Sequence, residues 1–383
     1  MTDSHVSVAL VTPGQRPYPL FSAYPRLAGA LPRAPLGLWP TAVDEAPHLA
    51  AAIGAGSLYV KRDDLSALPF GGNKVRKLEI VLGDALARGS RQLITFGAAG
   101  SNHALATAIY GTALGFEVTS ILTPQPNASY VRRNLLGHLA VGASVRMCAD
   151  RDSAMRDAAE LSTTIRERGE AEPYFIPFGG TTPMSTAGFV NAGFELAEQV
   201  AEGSLPEPDV VYVALGSMGT AAGIALGLAL AGVRPLVRAV SVVPDTMAGE
   251  RAFRELLASS AGTLRAGDPS IPPELASRVR VEIVEGFLGE GYACFTPRGM
   301  EAVRLAAAEE DLVLDGTYTG KTMSALIADA RSGALEGQTV LFWDTYNSRD
   351  IATLTAGVDY RALPEEARVF FETGVQPLDG EGN

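Results

Sequence analysis

RQLITFGAAGSNHALATAIYGTALGFEVTSIL, residues 91–122, decides the fold. RQLITF has strand composition, a glycine turn follows, SNHALATAIYGTAL has the small and apolar residues of a buried helix, and FEVTSIL returns to strand composition. Strand, helix and strand in that order predict parallel strands joined by a crossover helix. The alternation extends in both directions. Before it stand SLYVKR (57–62) and a helix from about 73. After it come a helix over about 127–140, ASVRMC (143–148), a helix over about 152–168, PYFIP (173–177) and a helix over about 184–202. DVVYVAL (209–215), a helix over about 220–231, LVRAVSVV (236–243) and QTVLFW (338–343) complete the series. DVVYVAL and LVRAVSVV are nearly continuous in apolar residues, as strands are when helices cover both sheet faces. The expected fold is α/β, two-domain, with open, mostly parallel twisted sheets and helices on both faces. The Pro-rich first 50 or so residues read as a largely irregular wrapping segment. Residues 260–280 read as a loop-bearing excursion and LDGEGN (378–383) as a fraying end.

A chain of 383 residues exceeds the size at which one core stops growing, which agrees with two domains. With 47% hydrophobic and 19% charged residues, 41 glycines and 24 prolines, it is folded and rich in turns. A net charge of -12 without a basic block argues against nucleic acid or an anionic membrane as partner. The first residues lack the features of a signal peptide and no apolar run reaches membrane length, so the cytoplasm is the expected compartment. Cys148 and Cys294 lie far apart, and His5, His48, His103 and His138 lack ligand spacing. Neither a disulfide nor a metal site is expected.

Ligands of open α/β sheets bind beyond the carboxyl ends of the strands, near helix N-termini, so three strand-to-helix turns carry the chemistry. In DVVYVALGSMGTAAG, Gly216 and Gly219 let the backbone fold tightly, and the amides of Gly216, Ser217, Met218, Gly219 and Thr220 offer a phosphate cradle. A glycine turn that only permits close packing would look the same. The turn lacks the lysine of a P-loop and the spacing of a dinucleotide fingerprint, although Asp245 sits after the next strand. In GAAGSNHALATA, Ser101, Asn102 and His103 place hydroxyl, amide and imidazole at a helix start, suited to a carboxylate or a phenolate-type oxygen, or simply to capping. In GGNKVRKL (71–78), Lys74 stands at a helix N-terminus, where the macrodipole disfavours a cation. In an apolar pocket such an amine loses its proton more easily and can form a Schiff base, whereas Lys77 reads as a solvated residue. A lysine and a phosphate cradle without a metal suggest pyridoxal phosphate.

Five segments carry a resemblance: KRDDLSALPFGGNKVRKLE (61–79), GAAGSNHALATA (97–108), PFGGTTPMSTAGFVNAGFEL (177–196), ALGSMGTAAGIALG (214–227) and DGTYTGKTMSAL (315–326). Together they resemble the D-cysteine desulfhydrase and 1-aminocyclopropane-1-carboxylate (ACC) deaminase family, pyridoxal-phosphate enzymes of the tryptophan synthase β type (fold type II). The resemblance implies a large domain from residues 1–74 and 181–383, an inserted small domain at 75–180, a cofactor between them, and a homodimer. It implies that Lys74 binds the cofactor's aldehyde, Asn102 its ring oxygen, and Gly216 to Thr220 its phosphate. Ser101, Asn102 and His103 would receive the substrate carboxylate. Tyr318 would lie over the cofactor and act in catalysis, with Ser101 beside it. Thr319 would face the pyridine nitrogen where ACC deaminases carry a glutamate, and this favours β-elimination over ring opening. The expected reaction converts D-cysteine or a related β-substituted amino acid to pyruvate, ammonia and sulfide or another leaving group. ACC deamination and a non-catalytic amino-acid-binding regulator are the alternatives. The chain departs from the family at WDTYNSRD (343–350), where HTGG is usual. Thr345 is kept beside the cofactor, and Tyr346 becomes a substrate-binding candidate, which points to a specialised substrate.

Overall fold

Ten strands in two sheets organise residues 18–380, the part of the chain that the computed structural model describes. In chain order they are β1 (Val43–Glu45), β2 (Ser57–Lys61), β3 (Gln92–Ala98), β4 (Glu117–Thr123), β5 (Ser144–Met147), β6 (Tyr174–Ile176), β7 (Val210–Leu215), β8 (Leu236–Ser241), β9 (Val281–Val284) and β10 (Thr339–Trp343). The stretch 91–122 gives β3, a helix at Asn102–Ala113 and β4, with β3 and β4 parallel from Gln92↔Glu117 to Ala98↔Thr123. They belong to a four-stranded sheet of order β5-β4-β3-β6, parallel throughout. The second sheet has the order β1-β2-β10-β7-β8-β9, and only β1, paired with β2, runs antiparallel. β1 and β9 lack the apolar runs that mark the other strands, and both lie at sheet edges, where one side makes no ladder.

Glycines let two helices pack backbone against backbone. Helices Ala187–Ala201 and Gly219–Ala231 cross so tightly that a Cβ on Gly193 would lie 2.7 Å from the Gly227 carbonyl carbon. A Cβ on Gly227 would lie 2.3 Å from the Val190 carbonyl oxygen. The second helix is apolar all round because it is buried between this neighbour, the sheet and the helix Glu250–Gly267.

That last helix corrects the expectation of a loop-bearing excursion from residue 260. Phe253, Leu257, Ala261 and Leu264 recur at helical spacing and bury one stripe, so the helix runs on to Gly267. The wrapping segment is also less irregular than expected, with helices at Pro19–Ala23, Leu27–Ala30 and Pro47–Ile53. A single carboxylate gathers it. Buried Glu79 accepts hydrogen bonds from the Tyr18 hydroxyl, Arg33 Nε at 3.0 Å, the Leu36 and Gly37 amides at 2.7 and 2.9 Å, and Trp39 Nε1 at 3.1 Å. Residues 1–17 of this segment, and 381–383 of the fraying end, lie outside the described residues. No helix among the described residues is long and apolar enough to cross a membrane.

A buried ionic knot ties the helix Lys74–Ala87 to the six-stranded sheet. Arg76 donates from Nε and Nη2 to Asp63 at 2.8 and 2.7 Å, and from Nη1 and Nη2 to Glu195 at 2.9 and 3.0 Å. Lys61 Nζ donates to Glu195 Oε1 at 2.6 Å, and Trp343 Nε1 donates to Asp63 at 2.9 Å. Two cations face two anions, so no net charge is buried. Burial alone would raise the Glu195 pKa, but the charges of Arg76 and Lys61 pull it down from 4.5 to about 2. Its contribution to stability is therefore complete above pH 4.5 and is lost as pH falls toward about 2. In urea denaturation near neutral pH, Glu195→Gln should lose about 3–5 kcal/mol relative to wild type. The gap should close as pH is lowered through that window, and a gap independent of pH would contradict the ionic account.

Candidate active site

Lys74 is the first residue of the helix Lys74–Ala87, which begins where GGN turns back under the sheet. Gly72 holds a φ of 88°, and a Cβ there would lie 2.7 Å from the Tyr346 carbonyl oxygen, so the turn needs glycine. Asn73 is fixed on both sides: its N–H donates to the Thr345 carbonyl at 3.2 Å and its Nδ2 to Thr220 Oγ1 at 3.0 Å. Lys74 Nζ makes no hydrogen bond among the described residues and lies 6.0 Å from the centre of the Tyr318 ring. Burial lowers its pKa from 10.5 to about 8, against an opposing pull from Asp315. A substantial share of the amine is thus neutral near physiological pH.

Thr220 belongs to the glycine turn beyond β7. Gly216 could not carry a side chain freely, since a Cβ would lie 3.2 Å from the Tyr318 ring. Met218 adopts a φ of 68°, a left-handed conformation unusual for a residue with a side chain, and the Gly219 N–H bonds back to the Ser217 carbonyl at 2.8 Å. The first-turn amides of the helix Gly219–Ala231 open from this loop. Lys77 stands against it and corrects the expectation of a solvated side chain. It is 1% exposed, and its Nζ donates to the Gly179 carbonyl and to Thr181 Oγ1 at 3.1 Å, with Ser217 Oγ at 3.4 Å. Burial and the neighbouring Lys74 push its pKa well down. An amine with no acid beside it, packed on a glycine turn at a helix start, would be recharged by a phosphate and so suits one.

Beyond β3, Ser101 caps the helix Asn102–Ala113: its Oγ accepts from the Ala104 N–H at 3.1 Å. The amides of Asn102 and His103 remain as first-turn donors. Asn134 sets the Asn102 side chain. Its Nδ2 donates to Asn102 Oδ1 and to the Gly100 carbonyl, each at 2.9 Å, which leaves the Asn102 NH2 free to donate outward. His103 departs from its expected part. Its imidazole is buried with Nε2 3.0 Å from Thr95 Oγ1, and it packs against Gly180. Burial and the nearby Lys77 and Lys74 hold it well below the usual imidazole range, so a neutral ring faces the protein and only the His103 amide serves an anion.

The opposite wall comes from residues 315–319 and from Tyr292. Asp315 Oδ1 accepts from the Tyr318 and Thr319 amides, each at 2.8 Å, and from the Thr319 hydroxyl at 3.0 Å. Thr319 Oγ1 also accepts from the Asp315 N–H at 2.8 Å, so its proton is committed and it offers at most a neutral lone pair. The Tyr318 hydroxyl lies 2.7 Å from that of Tyr292. Burial, then Tyr292, raises the Tyr318 pKa far above 10, so its phenol keeps its proton. Tyr292, within GEGYA, was not legible as a site residue, because nothing local marks it.

Thr345 and Tyr346 close the site beside Gly72. Tyr346 is buried, and its hydroxyl accepts from Arg133 Nη2 at 2.9 Å. Asn347 Oδ1 accepts from the Gly71 N–H at 2.6 Å, and Arg349 donates to the Leu65 and Ala67 carbonyls at 3.0 and 3.3 Å. WDTYNSRD thus braces the lysine turn. Lys74, Thr220, Tyr318, Thr345 and Tyr346 meet through Gly72, Asn73 and the Tyr318 ring, and the turn of Asn102 lies near enough for Lys74 and Lys77 to act on His103. An amine of lowered pKa, a glycine turn at a helix start with a buried lysine, and an outward-facing amide fit the aldehyde, phosphate and ring oxygen of pyridoxal phosphate.

Comparison with known proteins agrees. The family described as pyridoxal-phosphate dependent enzyme (PALP) matches residues 34–345. Nocardicin C-9′ epimerase of Nocardia uniformis subsp. tsuyamanensis is 37% identical over 360 residues, 90% of this chain and 100% of that protein. D-cysteine desulfhydrase of Salmonella choleraesuis is 34% identical over 298 residues, 75% and 85% of the two chains. The crystal structure of an ACC deaminase homologue superposes with a TM-score of 0.72 at 32% identity, covering 88% of this chain and 97% of that one. Relatives this similar over most of both chains leave one conclusion: this chain belongs to the pyridoxal-phosphate dependent enzyme family.

Proposed function

We propose that the protein is a lyase that removes a β-substituent from a small amino acid, D-cysteine or a related compound, in a cleft between a large domain (1–74 and 181–383) and an inserted one (75–180). The observation that carries this is the unbonded Lys74 amine, with a pKa near 8, facing a protonated Tyr318. Pyridoxal phosphate, bound by Lys74 at its aldehyde, Asn102 at its ring oxygen and Gly216 to Thr220 with Lys77 at its phosphate, supplies the electron sink for loss of the α-proton. Thr319 and Thr345 border its ring.

The chain's own groups do the rest. Ser101 Oγ and the amides of Asn102 and His103 receive the substrate carboxylate and fix its orientation. Lys74 Nζ, when free and neutral, takes the α-proton. Tyr318, paired with Tyr292, holds a proton for the departing β-group. For D-cysteine the balance is one water consumed and pyruvate, ammonia and hydrogen sulfide released. A neutral Thr319 leaves more of the work to the leaving group, which favours elimination over the ring opening of an ACC deaminase. A homodimer, the family's tendency, and a cytoplasmic setting belong to this reading.

A second reading is epimerisation at the α-carbon. It is favoured by the Tyr318–Tyr292 pair, a proton source across from Lys74, and by the match to the whole length of an epimerase. Both reactions begin with the same proton removal and part at its fate.

The purified enzyme should carry a visible absorption band that Lys74→Ala removes together with all turnover; a colourless protein that ignores added cofactor would refute the proposal. Lys77→Gln should keep the band but release the cofactor on dialysis about 10–150-fold more readily, as expected for one charged hydrogen bond of about 1.5–3 kcal/mol. D- and L-amino acids with β-leaving groups, assayed in deuterated water, separate the two readings. Keto acid and ammonia in equal amounts mark elimination, whereas deuterium gain with inversion and no keto acid marks epimerisation. A ligand that binds and does neither would make the protein a regulator, and 2-oxobutyrate from ACC would restore the deaminase.

A further inference from the structure

One face of the helix Ser129–Ala140 looks onto the site. Tyr130, Arg133, Asn134 and Gly137 recur at the spacing of a single helical face. The Tyr130 hydroxyl lies 3.1 Å from Thr317 Oγ1, next to Tyr318. Asn134 holds Asn102, and Arg133 Nη2 donates to the Tyr346 hydroxyl. Arg133 therefore stands in the wall around the Lys74 amine, between the tyrosine side and the Asn102 turn.

Its charge has no counter-ion. Arg133 makes no ion pair among the described residues, and its Nε is buried without a hydrogen-bond partner. The adjacent Arg132 is spent on structure, donating from Nε to the Phe370 carbonyl at 2.7 Å and from Nη2 to the Thr373 carbonyl at 2.6 Å. The two acids whose fields reach Tyr346 do not neutralise Arg133 either. Asp315 is held by the Tyr318 and Thr319 amides. Asp344 accepts from the Tyr346 N–H at 3.1 Å, and burial beside Asp64 drives it toward its neutral form. The partly buried guanidinium thus borders the site with no anion of its own, and its planar fork matches a carboxylate or sulfonate.

The α-carboxylate already has a receiver in Ser101 to His103, and the phosphate has Lys77 and the glycine turn. We propose that Arg133, held in place by Tyr346, is a specificity-determining residue that binds a second oxyanion, a carboxylate or sulfonate at the far end of the substrate's side chain. This rests on the proposed amino-acid reaction at Lys74. The substrate class is then an acidic amino acid with a β-leaving group, and the tyrosine in WDTYNSRD positions the cation that selects it.

The test compares S-carboxymethylcysteine with S-carbamoylmethylcysteine, as both enantiomers, which differ only in a terminal carboxylate or amide. Wild-type holoenzyme should prefer the carboxylate by about 10–100-fold in kcat/KM, the worth of one charge-assisted hydrogen bond. R133Q should bring this ratio close to one, and R133K, which keeps the charge but not the fork, should restore part of it. A wild-type ratio near one overturns the proposal. So does a uniform fall for both substrates in R133Q, which would assign Arg133 to the α-carboxylate or to folding. The wild-type ratio decides the matter alone if the variants do not fold. β-Chloroalanine, which carries no second anion, separates the two levels. Its turnover without carboxylate preference sinks only the present proposal, and failure to release keto acid from it sinks the lyase. In that case titration of the visible band with the same pair still measures the preference.

Discussion

Arg76 ties the helix that begins at Lys74 to Asp63 and Glu195. It is the third residue of the helix that Lys74 begins, and its guanidinium is shared between Asp63, beyond β2, and Glu195, in the helix Ala187–Ala201. A Cβ on Gly188 would lie 2.0 Å from the Arg76 carbonyl oxygen, so backbone meets backbone where the side chain is tied. Seven residues, Thr41, Lys61, Asp63, Arg76, Glu195, Gln199 and Trp343, share the knot. With five hydrogen bonds from one planar group, the first turn of the helix is held against rotation, and the direction in which Lys74 leaves it is set.

Around that fixed turn, three helix starts converge. Each brings unpaired N–H groups and the positive end of a dipole, an arrangement hostile to ammonium groups and favourable to anions. Burying Lys74 and Lys77 there lowers the pKa of both, but the two amines serve differently. Lys74 reaches no acceptor among the described residues, whereas Lys77 already touches three oxygens around the glycine turn. The same unfavourable field thus leaves one amine without an acceptor and packs the other against the glycine turn three residues later.

Lys74, the 216–220 turn and the alternating strands were legible because each is written in contiguous residues. Glycines, a small-residue helix start and an apolar run carry their meaning locally. What escaped depends on partners far along the chain. Lys77 finds Gly179 and Ser217, Asn134 finds Asn102, and Tyr292 finds Tyr318, none of which a local pattern can announce. The helix Glu250–Gly267 is a different miss, since its buried stripe of Phe253, Leu257, Ala261 and Leu264 was present in the sequence and its polar remainder masked it. His103 shows the converse, a residue of suggestive chemistry at a suggestive place whose side chain turns inward to Thr95.

Glu79 bears on the order of assembly. The segment from Tyr18 to Trp39 precedes its anchoring carboxylate by some forty to sixty residues, and Leu20 donates its amide to Asn191 Oδ1, 171 positions on. Contacts of such separation form only after the intervening chain has closed its loops. This segment is therefore among the last to settle, and until then the Glu79 carboxylate and the apolar residues that it covers face solvent.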